Sequence, residues 1–304
     1  MKKKYLVGLD VGSTTVKMAV LDRSNKLVFS KYQRHYSDIR KTIIELMDET
    51  CDKFYQDECT VMITGSGGLL VSQWLELDFI QEVIAGAESV QTLIPKTDVA
   101  IELGGEDAKI TYFRGGLEQR MNGTCAGGTG SFIDQMASLL KTDAAGLNEY
   151  AKNSRIIYPI AARCGVFAKT DIQPLLNEGA AKEDIAASVF QAVVNQTISG
   201  LACGKPIKGN IAFLGGPLYF LSELRKRFEI TLNLKPEQVI FPENSQLFVA
   251  IGAALSSKDC KVVSFKDLKA KLPALNTIVV HEVERLRPLF NNQQELDEFR
   301  ERHA

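Results

Sequence analysis

Two cysteines carry the most distinctive chemistry in this 304-residue chain. Cys125 lies in NGTCAGGTGSFIDQMASLLK (122–141), and Cys164 opens RCGVFAKTDIQPLL (163–176). Phe132, Ile133, Met136, Leu139 and Leu140 share one face at helical spacing, and Thr129 is suited to N-cap that helix. Cys125 therefore precedes a helix N-terminus, and Cys164 starts a second helical stretch. Uncapped N–H groups and the positive dipole end favour a thiolate or a bound anion at such a place. Gly165 and Pro174 should interrupt the second helix, with a kink or a fresh start near Thr170 or Asp171. The bland readings of the pair are an intrachain disulfide, a zinc site or two unrelated thiols. Six cysteines in a chain of this length do not make a disulfide scaffold. Cys51 and Cys203 lie in apolar helix-like stretches and read as core thiols, while Cys59 and Cys260 stand near element ends.

The second chemistry is acidic and glycine-rich. Tyr5 to Leu9 reads as a strand running into DVGSTTVK (10–17), and residues 98–103 read as a strand running into ELGGEDAK (102–109). Small residues at a strand end let backbone N–H groups approach a phosphate closely. Asp10 can hold Mg²⁺ through water or orient an attacking water. Two such turns facing each other would clamp a nucleotide's phosphates from both sides, with Mg²⁺ between. A third piece, NIAFLGGPLY (210–219), ends a strand in Gly215, Gly216 and Pro217, where an adenine–ribose unit can lie flat against the backbone. Each piece alone also suits an ordinary turn, so the order of the three is what gives them meaning.

The elements that must position these residues follow from periodicity. Residues 5–9, 16–21 and 27–32 form a strand meander, turning at Asn25 and Lys26. Residues 37–54 are helical, 60–64 a strand ending in Gly65-Ser66-Gly67-Gly68, and 79–94 a helix. Residues 185–201 form a long helix, and 245–255 a closing helix. The charged segment beyond Lys258 shows no core of its own. Length suits two lobes: residues 1–115 and 116–245, with the closing helix at 246–257 and an extension or linker at 258–304. Formal charge is −1, from 36 basic and 37 acidic residues, so composition does not point to nucleic acid or an anionic membrane. No apolar run approaches the roughly 20 residues that span a bilayer, and a cytoplasmic location is expected.

The order of these motifs resembles the phosphate-1, phosphate-2 and adenosine motifs of the actin/Hsp70/sugar-kinase superfamily, an α/β fold with two RNase H-like lobes around an ATP cleft. Within it, DVGSTTVK, ELGGEDAK, NGTCAGGTGSFIDQMA, RCGVFAK and LGGP resemble the BadF/BadG/BcrA/BcrD ATPases, the activators of 2-hydroxyacyl-CoA dehydratases. The resemblance covers roughly residues 4 to 257. It implies that Asp10, Glu102 and Glu106 serve catalysis. It implies that Gly12, Ser13, Thr14, Thr15, Lys17, Gly104, Gly105, Asp107, Gly215, Gly216, Pro217 and Gln246 bind ATP. It also implies that Cys125 and Cys164 bind a [4Fe-4S] cluster shared across a homodimer, or across two units of a longer fused chain.

Glu102 and Glu106 stand where small members of that family more often carry Asp and Gln. Glu106 should therefore hold water or Mg²⁺ beside the γ-phosphate rather than donate a hydrogen bond. The residues agree with the shared cluster: two cysteines are half of the usual four thiolates, and a two-fold axis doubles them. The implied function is ATP-dependent electron donation, from a ferredoxin-like or flavodoxin-like protein to an iron–sulfur dehydratase or a related acceptor. The rivals are a small-molecule kinase of the same superfamily and a nucleotide-gated interaction protein without a redox centre.

Overall fold

The computed structural model describes residues 3–122, 127–273, 275 and 288–303. The chain begins with the expected meander, β1 (Lys4–Val11), β2 (Thr15–Leu21) and β3 (Leu27–Arg34), each antiparallel to the next. Asp22 shapes the β2–β3 turn, its Oδ1 accepting from the N–H groups of Ser24 (2.8 Å) and Lys26 (3.0 Å). Helix α1 (Ile39–Lys53) returns the chain to β4 (Glu58–Thr64), which pairs parallel to β1. After α2 (Gly68–Leu75) a short β5 (Asp78–Phe79) runs parallel to β4. The helix expected from residue 79 therefore starts later, as α3 (Glu82–Leu93), because Ile80 is still tied to the Ile63 carbonyl at 2.9 Å.

The pattern then repeats. β6 (Val99–Leu103), β7 (Ala108–Tyr112) and β8 (Glu118–Met121) form a second antiparallel meander. After α4 (Gly130–Leu139), α5 (Ala144–Ala151), α6 (Gly165–Asn177) and α7 (Lys182–Thr197), β9 (Ile211–Leu214) pairs parallel to β6, and beyond α8 (Gly216–Phe220) and α9 (Ser222–Thr231) β10 (Val239–Ile240) pairs parallel to β9. The strand orders β3-β2-β1-β4 and β8-β7-β6-β9-β10 match, which is the doubled architecture expected. β6 and β7 were expected in the first lobe. Their hydrogen bonds put residues 99–112 in the second sheet, so the change of sheet precedes Val99.

Two helices lie between the sheets. α10 (Phe248–Ser256) rests on β1, where a Cβ on Gly8 would sit 1.9 Å from the Ala250 carbonyl oxygen. It also crosses α3 so closely that a Cβ on Gly252 would sit 1.7 Å from the Ala85 carbonyl oxygen. Phe248 reaches the other sheet, packing with Val90, Ala100, Ala212 and Leu214. α10 thus buries apolar surface against both sheets, which is what holds the lobes together.

Three expectations need correction. Lys182–Ala202, α7 plus a π-helical turn, is 21 residues long and apolar enough to span a bilayer. It is instead the buried spine of the second lobe, with Ile185, Val189, Phe190 and Val193 in the core. α6 runs unbroken through Pro174, which sits close enough to its C-terminus for the lost hydrogen bond to be tolerated. The segment beyond Lys258 is in part built into the first lobe: β11 (Val263–Ser264) extends the sheet at β4, and Phe265 of α11 (Phe265–Lys271) stacks on Phe54 with ring centroids 5.4 Å apart. The terminal helix Gln293–His303 buries no residue.

Candidate active site

The two meander turns meet across a cleft, the arrangement that the family resemblance implied. A Cβ on Gly105 would lie 2.1 Å from Thr14 Oγ1, so the loops of the two lobes touch. Asp10, Gly12, Ser13, Thr14, Thr15 and Lys17 line the cleft from the first lobe, and Glu102, Gly104, Gly105 and Asp107 from the second. Gly215, Gly216 and Gln246 close a third side. Gly215 has φ +89, a conformation that favours glycine, and a Cβ there would strike the Leu103 carbonyl oxygen at 2.1 Å. Pro217 lies on an adjoining groove rather than in the cleft itself. There Arg34 of β3 pairs with Asp134 of α4 at 2.8 Å, and Tyr32 meets Phe220 edge-on at 5.5 Å, both contacts joining lobe to lobe.

The charges at the cleft floor are paired by strand register. Asp10 faces Lys17 across β1–β2, with Oδ2 at 2.7 Å from Nζ. Glu102 faces Lys109 across β6–β7, with Oε1 at 3.3 Å from Nζ. Lys109 also pairs with Glu82, at the start of α3. Burial alone would lower the Lys17 ammonium, but the Asp10 carboxylate holds it above its ordinary value. Burial of Lys109 is likewise outweighed by Glu102 and Glu82, which hold it well up. Burial pushes the Glu102 carboxyl up, against Lys109 and with the help of Glu82.

The fit to Mg²⁺ and ATP rests on what the floor leaves open. Among the described residues, Asp10 Oδ1, Ser245 Oγ and Gln246 Oε1 are buried atoms that find no hydrogen-bond partner in the protein. Buried polar groups are ordinarily paired. An orphaned carboxylate oxygen beside a paired one suits a hydrated Mg²⁺, and the orphaned hydroxyl and amide oxygen suit the ribose side of a nucleotide.

Glu106 does not join this site. It is exposed and absent from the cleft lining, because the turn from β6 to β7 carries Asp107 inward and Glu106 outward. Tyr32, Ser66, Glu82 and Lys109 line the cleft without having been expected there. Lys109 had a signal, since Asp10–Lys17 and Glu102–Lys109 share one spacing. Ser66 had one too, in the small-residue turn Gly65-Ser66-Gly67-Gly68 that ends β4, whereas Tyr32 and Glu82 had none, as each enters from a separate element.

Cys164 takes the N-cap position of α6. The backbone N–H groups of Phe167 and Val166 hold its thiol below the ordinary value. Cys125 lies outside the described residues. Gly127, two positions on, is packed so tightly that a Cβ would sit 2.4 Å from the Arg163 carbonyl oxygen and 2.6 Å from that of Ala162. The segment after Cys125 therefore rests on the segment before Cys164. Thr129 holds the N-cap position of α4 as expected. The first amides of α4, Gly130 and Ser131, donate to the carbonyls of Gly104 (3.0 Å) and Gly105 (2.7 Å). Of the two expected core thiols, Cys51 is buried, its pKa pushed up to about 12 by burial. Cys203 is not a core thiol: it caps the π-helical turn at φ +45 with its side chain exposed. No cluster of three or more metal-ligating side chains occurs among the described residues.

A sequence profile of the BadF/BadG/BcrA/BcrD ATPase family matches residues 7–257. The chain is 30% identical over 270 residues to the 2-hydroxyisocaproyl-CoA dehydratase activator of Clostridioides difficile, a match covering 87% of this chain and 99% of that one. It is 29% identical over 222 residues to the (R)-2-hydroxyglutaryl-CoA dehydratase activating ATPase of Acidaminococcus fermentans, covering 70% and 82%. Among solved structures, component A of the A. fermentans (R)-2-hydroxyglutaryl-CoA dehydratase superposes with a TM-score of 0.72 at 26% identity, covering 87% of this chain and 98% of that one. The activator of the 2-hydroxyisocaproyl-CoA dehydratase from Clostridium difficile, solved with bound ADPNP, gives 0.71 at 27% identity, covering 92% and 100%. The ethanolamine utilization protein EutJ from Carboxydothermus hydrogenoformans shares the fold at 0.53 and 15% identity, covering 83% and 89%. The fold is the actin/Hsp70/sugar-kinase-like one.

Proposed function

Because the chain belongs to the BadF/BadG/BcrA/BcrD ATPase family, we propose that it is an ATP-driven activator. It passes a low-potential electron from a [4Fe-4S] cluster to an iron–sulfur enzyme of the 2-hydroxyacyl-CoA dehydratase type. The nucleotide half of this reading is supported by the family and by the relative solved with ADPNP. The redox half rests on one observation, the bonding of the phosphate loop to the start of α4 together with the packing of Gly127 against the residues before Cys164. Gly104 and Gly105 accept from the start of α4, and the turn leading into α4 is seated through Gly127 on the residues before Cys164. A shift of the phosphate loop displaces that turn with it.

In the cleft, Asp10 Oδ1 would hold Mg²⁺ or a water on it, while Lys17 neutralises the phosphates and the other carboxylate oxygen. Glu102, fixed by Lys109, would orient the attacking water. The donor chemistry of Cys164 fits an iron–sulfur centre: it is partly exposed, and two backbone N–H groups favour its thiolate. When bound, the cluster supplies one-electron chemistry. Cys125 and Cys164 from each of two subunits would supply its four thiolates. Val166 and Phe167, 67% and 63% exposed beside Cys164, give that face the apolar surface a second subunit would cover. The electron donor would be a ferredoxin-like or flavodoxin-like protein.

Anaerobic iron and sulfide analysis with measurement of oligomeric state tests this reading. The expected result is one cluster per dimer, lost with weakened dimerisation in Cys125→Ser and in Cys164→Ser and retained in Cys203→Ser. Wild-type iron content in both serine variants, or no iron bound by reconstituted wild type, would remove the electron-donor function.

A further inference from the structure

The turn after β3 sets a buried histidine against the back of the first phosphate loop. His35 is 6% exposed. Its backbone N–H donates to the Thr14 carbonyl at 3.2 Å, carrying the β2–β3 ladder one step beyond the Thr15–Arg34 pair. On the ring, Nδ1 accepts the N–H of Ser37 at 3.1 Å. A ring nitrogen that accepts carries no proton, so in the neutral imidazole the proton is on Nε2. Nε2 stands 3.3 Å from the Gly12 carbonyl oxygen and donates to it. Tyr36 and Ser37 bend the chain to allow this, with φ of +44 and +69. Non-glycine residues adopt that left-handed conformation at a cost, and two in succession mark a turn held in place by its surroundings.

Peptide geometry extends the argument to the cleft. In a trans peptide the carbonyl and the following N–H point in opposite directions. Holding the Gly12 and Thr14 carbonyls toward His35 therefore aims the N–H groups of Ser13 and Thr15 the other way. Ser13 and Thr15 line the cleft. We propose that His35 is a positioning residue for the nucleotide: it fixes the peptide planes of the loop Gly12–Thr15 so that the amides of Ser13 and Thr15 face the phosphates. The proposal rests on the nucleotide half of the reading above and is independent of the cluster.

Two isosteric variants separate this role from plain packing. The amide of glutamine reaches where Nε2 stands and can still donate to Gly12. The shorter amide of asparagine reaches only where Nδ1 stands, keeping the Ser37 contact and losing Gly12. In titrations with Mg-ATP, His35→Asn should bind about tenfold more weakly than wild type and His35→Gln within about threefold, the scale of one hydrogen bond to a neutral partner. Equal affinities in the two variants, or the reverse order, would overturn the role. A long-range ¹⁵N–¹H spectrum of wild type adds a readout needing no variant: the ring should be the Nε2–H tautomer, and an Nδ1–H ring overturns the assignment. Wild-type protein that binds no Mg-ATP would instead sink the nucleotide reading, and this proposal with it.

Discussion

Asp10 and Glu102 are equivalent residues of two copies of one unit: each ends a central strand and faces, across a hairpin, a lysine seven positions on. The equivalence is not complete. Among the described residues, Lys17 has a single carboxylate partner at 2.7 Å, whereas Lys109 is shared between Glu102 and Glu82. Asp10 keeps one oxygen without a hydrogen-bond partner among the described residues, which sets the two copies apart chemically: the first lobe leaves an oxygen open, and the second shares one lysine between two carboxylates.

Asp10→Asn should therefore abolish hydrolysis while leaving the fold. The amide keeps the contact of similar shape but loses the charge that holds Mg²⁺. A loss of at least about a hundredfold in phosphate release is expected for removing a charged group of this kind. Wild-type turnover in a folded variant removes Asp10 from the mechanism.

Lys109→Met should destabilise the protein by about 3 kcal/mol, because it strands two partly buried carboxylates without their common partner. Much of that loss should return in the double variant Lys109→Met with Glu82→Gln. Urea titration of the four members of the cycle gives the coupling, and additive effects would contradict a shared cluster.

Gly216→Ala should weaken Mg-ATP binding through the other lobe. A Cβ at Gly216 would lie 2.3 Å from the Tyr32 hydroxyl, and 3.2 Å from the ring carbon bearing it. Removing the hydroxyl relieves the closer contact, so Tyr32→Phe in the same chain should restore part of the affinity. No rescue would show that the nucleotide itself, rather than lobe closure, meets this position.

Cys164 should react before the core thiols. With its thiolate favoured by the Phe167 and Val166 amides, it should take iodoacetamide at neutral pH in cluster-free protein, while Cys51, buried and pushed up to about 12, stays unlabelled. Its alkylation midpoint should fall below that of an unperturbed thiol, since these amides stabilise the charged form. Peptide mass spectrometry over a pH series reads both, and labelling of Cys51 first would refute the assignment.

The hairpins were legible because a strand ending in an acidic residue and glycines has both a period and a turn chemistry. Asp10 with Lys17 and Glu102 with Lys109 are each local to one hairpin, so spacing alone pairs them. Glu82, Tyr32 and Ser66 reach the same cleft from a helix start, an adjacent strand and a distant loop, and only the tertiary crossing brings them together. Glu106 misled because a tight turn alternates its side chains, and the sequence does not say which of Glu106 and Asp107 points inward. The division at residue 115 was misplaced because an antiparallel hairpin reads the same in either sheet. Residues 263–275 looked like a tail because their few apolar positions, Phe265, Leu268, Leu272 and Leu275, complete another element's core rather than form their own.

The bonds from Gly130 and Ser131 to the phosphate loop divide the labour between two helix dipoles. α4 has its first amides committed to the carbonyls of Gly104 and Gly105, so its positive end serves as a mechanical tether. α6 has its first amides turned to the sulfur of Cys164, so its positive end serves as an electrostatic bias. On the proposed reading, displacement and potential would thus be governed by separate helices. Substitutions in the first turn of α6 should shift the midpoint potential of a bound centre without altering nucleotide affinity, and those in the first turn of α4 should uncouple the two sites while leaving that potential where it was.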